Sequence, residues 1–229
     1  MASTGDAFTA INEGIKKLRR GVDEGMRNQA CEKTPSVYVY KLTTDNGGAP
    51  ATYRGLLSLA ICKPKIRAKA EVGDWLIGIA GKSLRPGAAL IYVAQVTQVL
   101  EGGSYYSDRR FSKRPDAVYE WRSERLRIKS NARFHDTDDT LRDVGSEPLY
   151  RAARVLLSDK YRYFGKLASD WYASISPHAH SSALGIGRAH RVNHSDEDYD
   201  AWMKVIRATL RKPQLSARPI EAADATCRH

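Results

Sequence analysis

Cysteine is scarce in this chain: Cys31, Cys62 and Cys227 are the only three among 229 residues. Three cysteines without paired spacing make neither a disulfide framework nor a cysteine zinc site; they read as reduced thiols of a cytoplasmic protein. No apolar run approaches the ~18 residues of a membrane span, so an integral membrane protein is not expected. The first residues lack the apolar segment of a signal peptide. A triphosphate-binding loop is missing as well. Gly81-Lys82-Ser83 resembles the end of one, but Leu76 stands where its first glycine belongs. The glycine pair Gly185-Ile-Gly187 has no acidic partner about twenty positions on, which argues against a dinucleotide site. Spacing alone identifies no Ser-His-Asp or Cys-His arrangement.

Acidic residues are too few to balance the bases: 37 Lys and Arg against 26 Asp and Glu leave +11. The excess is local. Residues 1–53 carry seven bases and six acids, residues 54–133 sixteen and seven, and residues 134–229 fourteen and thirteen. A middle third at +9 is the footprint of a surface facing phosphates, although charge runs are commonly just solvated faces. Lys63, Lys65, Arg67 and Lys69 alternate, so an extended segment would place them on one face ~6.6 Å apart. Pro64 limits such a row to an edge strand or a connection. Arg109, Arg110, Lys113 and Arg114 cluster in a predicted loop, and Lys82 is a candidate phosphate contact from a turn.

Apolar spacing predicts an amphipathic helix over 6–28, packed on the body or pairing with a partner or a second copy. From residue 36 the period becomes two. Strands are expected at 36–43, 72–80, 89–100, 118–122, 125–128, 154–158 and 161–164. A last helix is expected from about Asp196 to Arg211, with Ser195 as N-cap, Asp198 completing a capping box, and a stripe of Tyr199, Trp202, Ile206 and Leu210. Many short strands with turns between them point to a small curved β-barrel with flanking helices, an α+β fold. The expected organisation is a helical extension (1–34), one barrel-like domain (35–212) and a disordered tail (213–229).

Two clusters carry candidate chemistry. Gly187-Arg188-Ala-His190-Arg191-Val-Asn-His194 sets arginines and histidines beside glycine, suited to anions or base edges. His190 and His194 have the spacing of a helical zinc pair but lack the glutamate of the zinc-protease motif. Phe134-His135-Asp136-Thr-Asp138-Asp139-Thr-Leu-Arg142-Asp143 concentrates carboxylates that either hold Mg²⁺ or form an N-cap and first helical turn. Aromatics interleave with the bases, and aromatic faces near cations grip single strands and flipped bases. Tyr40, Trp75 and Trp121 are the candidate walls of a base pocket.

Several blocks are similar to a known family. Tyr38-Val-Tyr-Lys-Leu-Thr-Thr-Asp45, Gly55-Leu-Leu-Ser-Leu-Ala-Ile-Cys-Lys-Pro64 and Val72-Gly-Asp-Trp-Leu-Ile-Gly78 resemble the second family of nucleotide-modification-associated domains. So do Val155-Leu-Leu-Ser158, Tyr163-Phe-Gly165 and Gly187-Arg-Ala-His-Arg191. The resemblance covers roughly 36–210. The family was named for its company with systems that modify bases in phage and bacterial DNA, and its activity was inferred. The Gly-Asp-Trp strand and Ile91-Tyr-Val-Ala-Gln-Val96 are also similar to the barrel of pseudouridine-synthase-associated and modified-base-reading domains, several of which enclose a flipped base.

These readings lead to a nucleic-acid-binding protein that recognises a modified or flipped base, with DNA favoured over RNA and no cofactor. Lys63, Lys65, Arg67, Lys82, Arg109, Arg110, Lys113, Arg114, Arg188 and Arg191 are its expected phosphate contacts. The alternative is an enzyme acting on a nucleotide or base, with His135, Asp136, Asp139 and His190 converging, and with Mg²⁺ or Zn²⁺ only in that case.

Overall fold

The computed structural model describes residues 33–187 and 190–221. The chain divides into units of residues 1–34 and 35–229. The helix expected at 6–28, with its pairing surface, lies outside the described residues.

In chain order the strands are β1 (Val37–Leu42), β2 (Ala51–Tyr53), β3 (Leu56–Leu59), β4 (Trp75–Ala80), β5 (Leu90–Gln95), β6 (Gln98–Leu100), β7 (Tyr119–Arg122), β8 (Arg125–Ile128), β9 (Val155–Ser158), β10 (Lys160–Tyr163) and β11 (His190–Arg191). Helices are α1 (Pro64–Arg67), α2 (Ser104–Ser107), α3 (Thr140–Val144), α4 (Pro177–Gly185) and α5 (Asp196–Leu210).

A five-stranded sheet in the order β10-β5-β4-β1-β11 forms the centre. β1 and β4 run parallel, and the other pairs are antiparallel. Every residue of β4 is buried, as are most of β1 and β5. Covering both faces is what the nearly continuous apolar run Trp-Leu-Ile-Gly-Ile-Ala requires. Gly78 of β4 permits a close approach: a Cβ there would lie 2.4 Å from Cε1 of Tyr92. A second sheet has the order β2-β3-β9-β6, and β7 pairs with β8 alone.

Among the described residues the strand orders are linear, and no closed barrel is found where a small curved β-barrel was expected. A two-residue period marks a strand without saying whether first and last strands pair. Here the central sheet ends on the short edges β10 and β11.

The final helix matches its reading closely. The Ser195 side chain accepts from the Asp198 N–H at 3.2 Å. Trp202, Val205 and Ile206 are buried, and Tyr199 and Leu210 pack against the core.

The alternating Lys63–Lys69 row is not extended. Pro64 opens α1, where its missing N–H leaves no bond unmade. At ~3.6 residues per turn, Lys65 and Arg67 point in nearly opposite directions. Lys65 is exposed and Arg67 is buried. Residues of the stretch 213–221, which falls within the expected tail, are bonded to the body. Lys166 N–H donates to Arg218 O at 2.9 Å, and the N–H groups of Ile220 and Glu221 donate to Asp45 at 3.0 and 2.9 Å.

Candidate active site

Between β3 and α1 the chain turns through two consecutive left-handed residues, Cys62 (φ 56°) and Lys63 (φ 44°). Residues other than glycine pay roughly 1–2 kcal/mol each for this conformation. Such strain persists only where the surroundings over-determine it. Cys62 N–H donates to Asp143 Oδ1 at 3.3 Å, and Arg67 Nε donates to Cys62 O at 2.8 Å. The carbonyl of Lys63 accepts from the N–H groups of Ile66 and Arg67, each at 3.0 Å. The turn thus holds the Cys62 side chain in one place while leaving the residue partly exposed.

His135 meets it from a distant segment. Its Nε2 lies 3.0 Å from Cys62 Sγ, and its Nδ1 is hydrogen-bonded to Asp143 Oδ2. A carboxylate can only accept, so Nδ1 carries the proton and Nε2 is left to accept from the thiol. His135 is placed by its neighbour Phe134, whose buried ring packs over Gly48; a Cβ on Gly48 would sit 2.7 Å from it.

Asp143, on α3, is fully buried. The Tyr119 hydroxyl donates to its Oδ2 at 2.9 Å, and Arg67 Nη2 lies 3.7 Å from its Oδ1. Burial, and next the Asp143 charge, push the Tyr119 hydroxyl well above its ordinary pKa, so it remains a donor. Buried carboxylates are tolerated when paired and hydrogen-bonded in this way. The result is a thiol, a base and a group that orients the base, which is the arrangement required to activate a cysteine nucleophile.

Of the four residues expected to converge, His135 belongs to this centre and Asp139 approaches it, while Asp136 and His190 have other partners. Asp136 caps the 3-10 turn at Thr137–Asp139, its side chain accepting from Asp138 N–H at 2.9 Å. Asp139 bonds back to Asp136 N–H, pairs with Arg142 and approaches His135 Nδ1 at 3.8 Å. This is the N-cap reading of the acidic run. Among the described residues no group of three or more His, Cys, Asp and Glu side chains is placed to hold a metal ion.

His190 stands on β11, opposite Tyr40 of β1, with its ring 6.0 Å from that of Tyr38. Lys63 reaches the same place: its Nζ lies 5.1 Å from the centre of the Tyr40 ring. Cys62 and Asp143 were missed as partners because their link to His135 is not a spacing. The local signal was a cysteine two residues before a proline, at the end of an apolar strand.

The expected phosphate contacts divide by burial. Lys65, Lys82, Arg109, Arg110 and Lys113 are exposed, with Arg110 paired to Asp108 at 2.6 Å. Arg191 is partly buried and donates to Ser182 Oγ at 3.0 Å, and Arg188 lies outside the described residues. Two arginines turn inward and cannot face a phosphate. The Arg67 guanidinium donates to the carbonyls of Cys62, Ala152, Arg154 and Asp143 at 2.7–3.1 Å. That of Arg114 is held by Tyr105, the carbonyls of Ala51, Tyr53 and Leu56, and the Asp116 carboxylate at 3.6 Å.

The three aromatic candidates do not wall one pocket. Tyr40 pairs with Gly78 while Val37 pairs with Trp75, and strand alternation therefore sends Tyr40 and Trp75 to opposite faces of the sheet. Both are buried, with the Tyr40 hydroxyl bonded to that of Tyr92. Trp121 belongs to the separate β7-β8 hairpin, and its indole N–H donates to Gly103 O at 3.2 Å.

No described helix is long and apolar enough to cross a membrane. No curated protein and no solved structure shows significant similarity to the chain. The model of one family matches residues 34–226, and these span β1 to α5 with all three members of the thiol centre. The chain belongs to the family described as nucleotide modification associated domain 2, which links it to nucleotide modification.

Proposed function

We propose that the protein is a thiol-dependent enzyme acting on a nucleotide or nucleic-acid substrate, with Cys62 as nucleophile, His135 as general base and Asp143 as the group that orients it. One observation carries the reading: His135 bridges Cys62 and Asp143, with Nε2 3.0 Å from Sγ. The thiol proton passes to Nε2 as sulfur forms a bond to an electrophilic carbon of the substrate. The bond from that carbon to its leaving group breaks, and His135 returns the proton to that group. Water or an acceptor then releases the covalent intermediate by the reverse route.

Alkylation by iodoacetamide, resolved peptide by peptide, tests this. Cys62 is expected to react at neutral pH at least tenfold faster than a free cysteine thiol, whose pKa of ~8.5 leaves it mostly protonated. His135→Gln should remove that advantage. A Cys62 that reacts no faster than free cysteine, with or without His135, sinks the proposal.

Exposed Lys65, Lys82, Arg109 and Lys113 support the further reading that the substrate is presented within nucleic acid. Affinity for single-stranded DNA should then fall steeply with added salt, since each phosphate contact releases counterions. Absence of binding at low salt confines the enzyme to free nucleotides.

A further inference from the structure

Two separate segments bring basic side chains to Tyr40, beside the turn that carries Cys62. Lys63, next to Cys62, lays its Nζ 5.1 Å from the Tyr40 ring centre and donates to Lys41 O at 3.4 Å. Lys65 is exposed on the following turn. His190 arrives on the edge strand β11, whose pairing with β1 sets it opposite Tyr40. Burial first, then the charges of Lys65 and Lys63, hold the His190 imidazole below its ordinary pKa. Lys63 and His190 are therefore both brought to Tyr40 from segments distant in the chain. Their mutual repulsion is a standing cost that a bound anion would relieve.

We propose that Lys63, Lys65 and His190 form a seat beside Cys62 for a phosphate group of the substrate. The seat deepens the thiol reading by naming what the substrate carries next to its reacting carbon: a phosphate ester. Imidazole and ammonium groups donate hydrogen bonds to phosphate oxygens, and an anion bound between them would keep His190 protonated. The left-handed Cys62-Lys63 pair acquires a purpose under this assignment. It turns two consecutive side chains so that one presents the nucleophile and the next presents a charge.

Two reagents that differ in charge report on the seat without knowledge of the substrate. Iodoacetate is anionic and iodoacetamide neutral, so a cationic seat should raise the iodoacetate-to-iodoacetamide rate ratio at Cys62 about tenfold above that of free cysteine. The double variant Lys65→Gln with His190→Gln, which keeps only Lys63 of the seat, should bring the ratio most of the way down to the free-cysteine value, and Lys65→Gln alone, at an exposed position, should lower it less. Inorganic phosphate should slow alkylation of the unmodified protein and not of the double variant. A ratio equal to that of free cysteine, together with no protection by phosphate, overturns the seat and leaves the thiol reading intact. If Cys62 is inert to both reagents while calorimetry shows phosphate binding that the double variant abolishes, the seat stands and the thiol reading falls. Protection by a nucleoside monophosphate but not by single-stranded DNA lacking terminal phosphates assigns the seat to a terminal phosphate. Equal protection by both assigns it to the phosphodiester chain.

Discussion

His135 and Asp143 lie eight residues apart and share a buried hydrogen bond that fixes which nitrogen of the imidazole faces Cys62. The segment between them is folded back by the 3-10 turn and α3, so a short acidic stretch delivers both the base and the carboxylate that orients it. The third partner comes from 73 residues before His135. The centre is thus half local and half tertiary.

Asp143→Asn should destabilise the fold as well as the thiol chemistry. It leaves Arg67 buried without its counter-charge, and breaking a buried pair of this kind costs about 3–5 kcal/mol. Tyr119→Phe removes only one hydrogen bond to the same carboxylate, about 1.5–3 kcal/mol. Chemical denaturation of the two variants should rank them in that order, with alkylation of Cys62 slowed in both.

Arg67 and Lys65 were read as equivalent, and their variants should behave as opposites. Arg67→Met orphans buried carbonyls and should cost 3 kcal/mol or more by denaturant titration. Lys65→Met should remain within about 0.5 kcal/mol of the parent while weakening anion binding. A stable Arg67→Met protein would show that the buried network carries little of the fold.

His190 should titrate below 6.5, because burial and the charges of Lys65 and Lys63 disfavour its protonated form. The folded protein then binds fewer protons than the unfolded chain between that lower value and 6.5. Stability falls as pH drops through this window, and above 6.5 His190 contributes nothing. Replacing it by Gln should flatten the decline. Titration of the imidazole by NMR should show its midpoint rising when inorganic phosphate is added; a midpoint that ignores phosphate argues against an anion at His190.

Trp75→Ala and Trp121→Ala separate core from surface. Trp75 is buried in the central sheet, and its truncation should cost about 3–5 kcal/mol. Trp121 is 37% exposed on the β7-β8 hairpin, so its loss should be smaller. Thermal melts decide between them, and equal losses would place the hairpin in the same cooperative core.

What the sequence determined by itself is the part governed by neighbours along the chain. β1, β4 and β5 follow from runs of apolar and alternating residues, α5 from a serine cap and a helical stripe, and the turn at Asp136 from a carboxylate that caps its own backbone. Tertiary structure decided everything that depends on which side of an element meets what. The same pattern of short strands is compatible with a closed barrel or with open sheets, because closure is a pairing between ends that no local period encodes. Alternation of Lys63, Lys65 and Arg67 describes one face of a strand, but in the helical turn α1 it sends Lys65 to solvent and Arg67 into the core. Cys62 became a candidate nucleophile only when β3 ended in a left-handed turn against the α3 segment, bringing its sulfur to His135. Side-chain chemistry is written in the residue, but proximity across 73 positions is set by packing.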